Sequence, residues 1–169
     1  MELIDAGTTN VKYKGIFDWG GLYQLIAQWL YNRKYEVHEN RYKDKESTPW
    51  GNEIEVTVNA HRRITAYIRY TFTIDYHLWD AKEIEVVEDG KKVKKTQGRI
   101  LVSINAGLQL DWTDKFKGSK FNELLGKLIK TIKKKEIKIL HEDYQEYENY
   151  ALQTEIKKFL KMETDRHEY

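Results

Sequence analysis

The amino-acid sequence predicts an α+β fold: an N-terminal helix, a four-stranded antiparallel meander with a long protruding hairpin, and two C-terminal helices packed on one sheet face. Three observations predict it. Apolar residues recur at helical spacing in 19–33, alternate with polar residues between 35 and 111, and return to helical spacing after 119. The 169 residues contain a single Pro and no linker-like stretch, so we expect one domain over 1–169.

The first helix is predicted at about 19–33, with Asp18 as its N-cap. Residues 1–16 are expected to form an extended or irregular lead-in. Two apolar stripes run along the helix, which indicates burial on two sides. The second stripe, a candidate self-association surface that makes a homodimer one possible assembly, consists of Tyr23, Ala27 and Tyr31.

Four strands follow in the predicted meander. The segment 35–43 is rich in charge, as exposed edge strands usually are, and 53–60 is the next strand. Two long strands then cover about 68–79 and 100–111, where strict alternation predicts one buried face and one wet face.

The connection between the two long strands carries an Asp89-Gly90 turn signal. A strict two-residue loop would pair Leu78 with Leu101 and place the apolar faces on opposite sides of the sheet. The pattern therefore predicts a three-residue loop or a bulge, with Leu78 opposite Ile100 or Val102.

The hairpin arm, 82–97, has Glu on one strand and Lys on the other. Opposite charges that face each other across a hairpin stabilise it modestly, so we favour a self-neutralising arm. The alternative is a contact finger that meets a partner through its tip, which consists of Asp89, Gly90, Lys91 and Lys92.

The helical third, 119–163, is predicted to hold two helices, the first capped by Ser119 and the second over about 137–163. In the first helix Phe121, Leu124, Leu125, Leu128, Ile129 and Ile132 fall at helical spacing. An apolar stripe of this kind usually faces the core, and we expect it to do so here.

The strongest charge asymmetry lies in the same helix. The segment 115–138 with the preceding Asp114 has nine Lys and three acidic residues, a net charge of +6 in a chain of net charge +2. Such a patch can neutralise phosphates or lie on an anionic membrane, although many charge runs are only solvated faces. The predicted polyanion-binding residues are Lys127, Lys130, Lys133, Lys134, Lys135 and Lys138.

The wet face of the sheet offers a second group of candidates, Asp75, His77, Trp79 and Ser103. A Ser-His-Asp triad needs a strained turn and an oxyanion hole, and flat mid-sheet positions provide neither. The five His are scattered in the sequence, and motifs for nucleotides, zinc or calcium are missing. We therefore predict no catalytic residue, no metal site and no cofactor, and we interpret the group as a solvated sheet face.

The stretches FDWGGLYQLIAQWL and HLWDAKEIEVVEDGKKVKKTQGRI resemble small uncharacterised archaeal proteins. The resemblance covers about 17–159, implies a thermophilic, cytoplasmic protein and carries no site residue. Charged residues make up 33% of the chain, a bias that is also typical of thermophiles, and the lack of Cys fits a reducing cytoplasm.

The predicted function is a non-enzymatic binding or scaffold module that contacts a protein, a ribonucleoprotein or RNA through the Lys-rich helix and the hairpin arm. Two alternatives stay open. One is a small-molecule-binding or hydrolytic domain with a pocket between sheet and helices. The other is a peripheral membrane-surface protein, which we regard as the weaker partner assignment because the apolar stripe is expected in the core.

Overall fold

The computed structural model describes residues 1–114, 116 and 118–162, and of 46–48 it describes the backbone only. Five strands form one antiparallel sheet, in the order β1-β5-β4-β3-β2. The strands are β1 (Glu2–Phe17), β2 (Glu36–Thr48), β3 (Gly51–Arg63), β4 (Ile68–Glu88) and β5 (Lys91–Leu110). The helices are α1 (Trp19–Asn32), α2 (Lys120–Glu136) and α3 (Asp143–Phe159).

The predicted four-stranded meander with an N-terminal helix is wrong, because the expected irregular lead-in is strand β1. This strand forms an edge of the sheet beside β5, and α1 follows it. A bulge between Asp5 and Thr8, where Gly7 has φ of 108°, interrupts the alternation. The buried positions change there from Ala6 to Thr9 and Val11, so no single period-2 pattern runs through the strand.

Helix α1 begins where the sequence places it. The Asp18 carboxylate accepts a hydrogen bond from the backbone N–H of Gly21 at 2.9 Å, which satisfies a donor at the helix start. Leu22, Ile26 and Leu30 are fully buried against the sheet. The N-cap prediction is confirmed.

The β4–β5 hairpin contains the predicted bulge. A two-residue turn at Asp89-Gly90 joins the strands, and Leu78 lies opposite Ile100. The register shifts between Trp79 and Lys82, facing Gly98. A Cβ at Gly98 would lie 2.8 Å from the carbonyl oxygen of Trp79, so the bulge needs glycine at that position.

The C-terminal helices are continuous through a π-helical turn, Ile137–Glu142, and only α3 packs on the sheet. The expectation that both helices pack on one sheet face is therefore wrong, since α2 contains no buried residue. We call the face packed against α1 and α3 the covered face and the opposite side the open face. No helix in the described part of the chain is long and apolar enough to cross a membrane.

Polar side chains of α3 join it to the sheet. The Asn149 side chain donates to the backbone oxygen of Gly7 at 2.8 Å and accepts from the Thr9 hydroxyl at 2.7 Å. Asn149 is buried, so these bonds satisfy groups that water cannot reach. The contact lies at the β1 bulge and ties the edge strand to the helix.

Candidate functional site

Helix α2 exposes the apolar stripe that the sequence assigned to the core. Five apolar residues of the helix are exposed, and their exposed fractions are Phe121 70%, Leu124 65%, Leu125 39%, Leu128 56% and Ile132 73%. We call these five residues the α2 apolar stripe. A helix of this composition normally buries such a stripe, and here the stripe forms an exposed apolar surface.

The helix is turned so that a different face meets the body of the protein. Lys130 forms an ion pair with Glu2 of β1, and a Cβ at Gly126 would lie 3.1 Å from the side chain of Phe116. The small residue at Gly126 permits this approach, and the apolar stripe is left in solvent.

Lysines line the polar side of α2. The helix carries six Lys and two Glu, a net charge of +4. Lys127, Lys130 and Lys134 follow at i, i+3 and i+7 along one face, with Lys133 and Lys135 to either side and Lys138 in the π-helical turn. All of these except the half-buried Lys130 are exposed. The structure therefore places five of the six predicted polyanion-binding residues in solvent.

The hairpin arm pairs its own charges. Lys94 lies 2.7 Å from Glu83, and Lys95 lies 3.1 Å from Glu88. Exposed pairs of this kind contribute about 1 kcal/mol at most. The self-neutralising interpretation is supported, and contact through the tip at Asp89, Gly90, Lys91 and Lys92 stays a prediction.

The predicted sheet-face group does not form a catalytic triad. Asp75 and Ser103 are directly opposed, but Asp75 accepts a hydrogen bond from Thr57 at 2.6 Å and Ser103 donates to Asn10 at 2.6 Å. His77 bonds neither of them. Each of the three groups is held by a different neighbour, which is the arrangement of a solvated sheet face.

His77 instead joins a charged cluster. Its ring stacks on Trp79 with centroids 3.8 Å apart, and its Nε2 lies 2.7 Å from Glu53. Lys45 lies 3.8 Å from Glu53 and 3.4 Å from Glu55. The cations of β2 thus neutralise the carboxylates of β3 around His77.

A second histidine cluster lies near the other end of the β2–β3 ladder. Glu36 is paired with His61, and His38 lies two residues along β2 on the same face. The His61 Nε2 lies 3.2 Å from the Glu36 carboxylate, and the His38 and His61 rings stack with centroids 5.6 Å apart. Burial, and then the nearby Arg69 guanidinium, lower the pKa of His61. These histidines are far apart in the sequence and are expected to be scattered, but the structure brings His38 and His61 together.

The open face also contains a cleft of about 550 Å³, beside this cluster. Its lining includes His38, Asn59, His61, Arg69, Thr73 and Asn105. The Asn59 side-chain oxygen is buried and has no hydrogen-bond partner within the described residues. The cleft lies on the open face, not between sheet and helices where the alternative prediction placed a pocket.

Sequence reasoning misses two features of these surfaces. The histidine cluster could be predicted only from the pairing of Glu36 with His61, and that pairing depends on the register of the edge strand β2. Exposure of the α2 stripe has no sequence signal, because amphipathicity does not say which surface covers an apolar face. No protein-family model matches the chain, and no curated protein matches it either.

Proposed function

We propose that the protein is a non-enzymatic binding module that attaches to an anionic phospholipid surface through α2. The observation that carries the proposal is the exposed α2 apolar stripe beside a row of lysines. An interfacial helix has this composition, with apolar side chains that enter the acyl boundary and cations that meet the head groups.

RNA and ribonucleoprotein partners fit the lysines alone. Phosphates would pair with Lys127 and Lys134, but the five apolar side chains would stay in water. A lipid surface accepts both halves of the helix. The sequence ranks a membrane below other partners because the stripe is expected to be buried, whereas in the structure the stripe is exposed.

A second copy of the chain fits less well. Two α2 helices, each with a net charge of +4, would repel each other when packed side by side. A coiled-coil seam would also have to accommodate Lys135 near the stripe. The charge of α2 favours an anionic partner over its own copy.

Both halves of the helix are needed for stable attachment. Each exposed apolar side chain adds roughly 1–2 kcal/mol on burial, and each lysine near an anionic surface adds about 1 kcal/mol. The two contributions are of similar size, so removal of either should release the protein at physiological salt.

Flotation with vesicles tests the proposal. We expect the chain to float with vesicles that contain anionic phosphatidylglycerol and to stay unbound with neutral phosphatidylcholine. Leu124→Ser with Leu128→Ser and Ile132→Ser should abolish flotation. Unchanged flotation of this variant would contradict the proposal.

Charge variants separate the candidate partners. Lys127→Glu with Lys134→Glu should abolish flotation, while Lys91→Ser with Lys92→Ser in the hairpin tip should leave it unchanged. Fluorescence anisotropy of a labelled structured RNA across a salt series is the second arm. A steep salt dependence without flotation would favour the ribonucleoprotein partner. If the chain neither floats nor binds the RNA, a protein partner would be favoured.

Several expectations remain proposals beside this one. A cytoplasmic location fits the binding mode, because the cytoplasmic leaflet carries anionic lipids. The archaeal and thermophilic assignment, a homodimer through Tyr23, Ala27 and Tyr31, and a small-molecule-binding or hydrolytic role also stay predictions. Within α1, Tyr31 is exposed and Tyr23 donates to Glu39 at 2.7 Å.

A further inference from the structure

The histidine cluster at the edge of the sheet is assembled by strand pairing. Glu36 and His61 are direct partners in the β2–β3 ladder, and His38 follows Glu36 by two residues. Directly opposed residues of antiparallel strands point to the same face, with Cβ atoms about 5 Å apart. The three side chains therefore share the open face, on a framework that ladder hydrogen bonds hold in place.

The distances within the cluster suit a metal ion. Glu36, His38 and His61 each offer one ligand atom, and these atoms lie within 4.8 Å of one another. The His61 Nε2 and a Glu36 oxygen are 3.2 Å apart. Ligands at zinc bond lengths of about 2.0–2.2 Å in a tetrahedron are separated by roughly 3.3 Å. The His61 and Glu36 atoms already meet this separation, and the His38 nitrogen lies within 4.8 Å of both.

The donor set selects the kind of ion. Two imidazole nitrogens and one carboxylate oxygen are the protein ligands of open zinc sites, which keep a further position for water or a ligand. Magnesium and calcium prefer oxygen donors only. We propose that Glu36, His38 and His61 bind a divalent transition-metal ion of the zinc type.

The adjoining cleft gives this site room for an exogenous ligand. His38 and His61 line the cleft of about 550 Å³, and so does Asn59. The buried Asn59 oxygen, unpartnered among the described residues, lacks the donor that a small polar ligand or water would supply. Two independent features, the two imidazoles of the donor cluster and the unsatisfied amide, thus meet in one cleft.

The other histidine cluster on the same sheet is a natural comparison. Glu53, Glu55 and His77 also offer atoms within 4.8 Å of one another. Arg41 lies 2.8 Å from Glu55, and Lys45 lies within 4 Å of both carboxylates. These fixed cations already neutralise the carboxylates and repel a metal ion.

Cations are less closely engaged around Glu36. The Arg63 guanidinium lies 4.0 Å from the Glu36 carboxylate, at the limit of an ion pair. Arg69 donates to Gln109 at 2.6 Å, which holds its guanidinium in that bond. The Glu36 carboxylate is therefore more available to a metal ion than the carboxylates of Glu53 and Glu55. Arg63 and Arg69 will still weaken the affinity for the metal ion.

Zinc titration of the full, tag-free chain by calorimetry tests the site. We expect one ion per chain, with affinity reduced about 10- to 100-fold or more in His38→Ala and His61→Ala. His77→Ala is the matched control, since it removes a histidine from the other cluster, and it should bind zinc as the unmodified chain does. Glu36→Gln should weaken binding while it preserves the shape of the side chain.

Co²⁺ provides a readout that depends on geometry. Its visible absorption should show the intense bands of four- or five-coordinate nitrogen and oxygen ligation, and His61→Ala should lose them. Circular dichroism confirms that each variant is folded. The proposal would be overturned if the unmodified chain does not bind zinc. It would also be overturned if zinc binding is unaffected in both His38→Ala and His61→Ala, or is lost in His77→Ala.

Discussion

The exposed α2 stripe makes a sharp prediction about stability. Leu128 in α2 is 56% exposed, whereas Leu152 in α3 is fully buried against the sheet. Both are helical leucines, so Leu→Ala changes helix propensity equally at the two sites. We expect Leu152→Ala to be destabilising and Leu128→Ala to be nearly neutral.

The magnitudes follow from burial. Leu152→Ala removes a fully buried side chain and should cost about 2–5 kcal/mol, through lost transfer energy and the cavity left behind. Less than half of the Leu128 surface is buried, so the same substitution removes little buried apolar area and should cost about 1 kcal/mol or less. Urea unfolding followed by circular dichroism resolves a difference of this size.

The assay should be run at two protein concentrations that differ widely. A cost above about 2 kcal/mol for Leu128→Ala at both concentrations would refute the reasoning, because α2 would then pack against its own chain. A cost that grows with protein concentration would instead show that a second copy covers the stripe. Either result would also remove the observation on which membrane attachment rests.

Two further predictions concern contacts within the fold. Asn149→Ala leaves the buried Thr9 hydroxyl and the Gly7 carbonyl without partners, at about 1–3 kcal/mol for each group, and urea unfolding should show the loss. Burial, and then the bond to Glu39, raise the pKa of Tyr23 to about 12. Stability from this group is complete below the unfolded pKa of about 10 and is lost as pH rises toward 12. Glu39→Gln should lower the Tyr23 pKa in a tyrosinate absorbance titration, and an unchanged titration would contradict the assignment.

The hairpin shows how far alternation carries a sequence argument. The apolar faces of β4 and β5 can match only if the two-residue turn is compensated elsewhere, so a bulge follows from parity. Its position, between Trp79 and Lys82, does not follow. The position depends on Gly98, which alone admits the close approach of the opposite strand.

Strand β1 shows where the same argument fails. The bulge near Gly7 moves the buried positions from Ala6 to Thr9 and Val11, so a single period-2 pattern covers only the part of the strand after the bulge. The backbone oxygen of Gly7 in this bulge accepts a hydrogen bond from the Asn149 side chain, more than a hundred residues later in the sequence. A local pattern does not show long-range contacts of this kind, and the sequence alone therefore predicts only an extended or irregular lead-in.

The bulge in β2 explains why the two histidine clusters differ. Between Glu39 and Arg41 the register of β2 against β3 shifts by one residue. Without that shift, Asp44 and Tyr42 would lie opposite Glu53 and Glu55, and the open face would place a carboxylate against a carboxylate.

With the shift, Lys45 and Lys43 lie opposite Glu53 and Glu55, while Glu36 stays opposite His61. Opposite charges across the ladder stabilise this register over the alternative. One bulge thus supplies cations to the carboxylates around His77 and leaves Glu36 beside two imidazoles. Asn40 is the extra residue of this bulge, so its deletion should keep both pairings in one regular ladder, and zinc binding at Glu36, His38 and His61 should survive it.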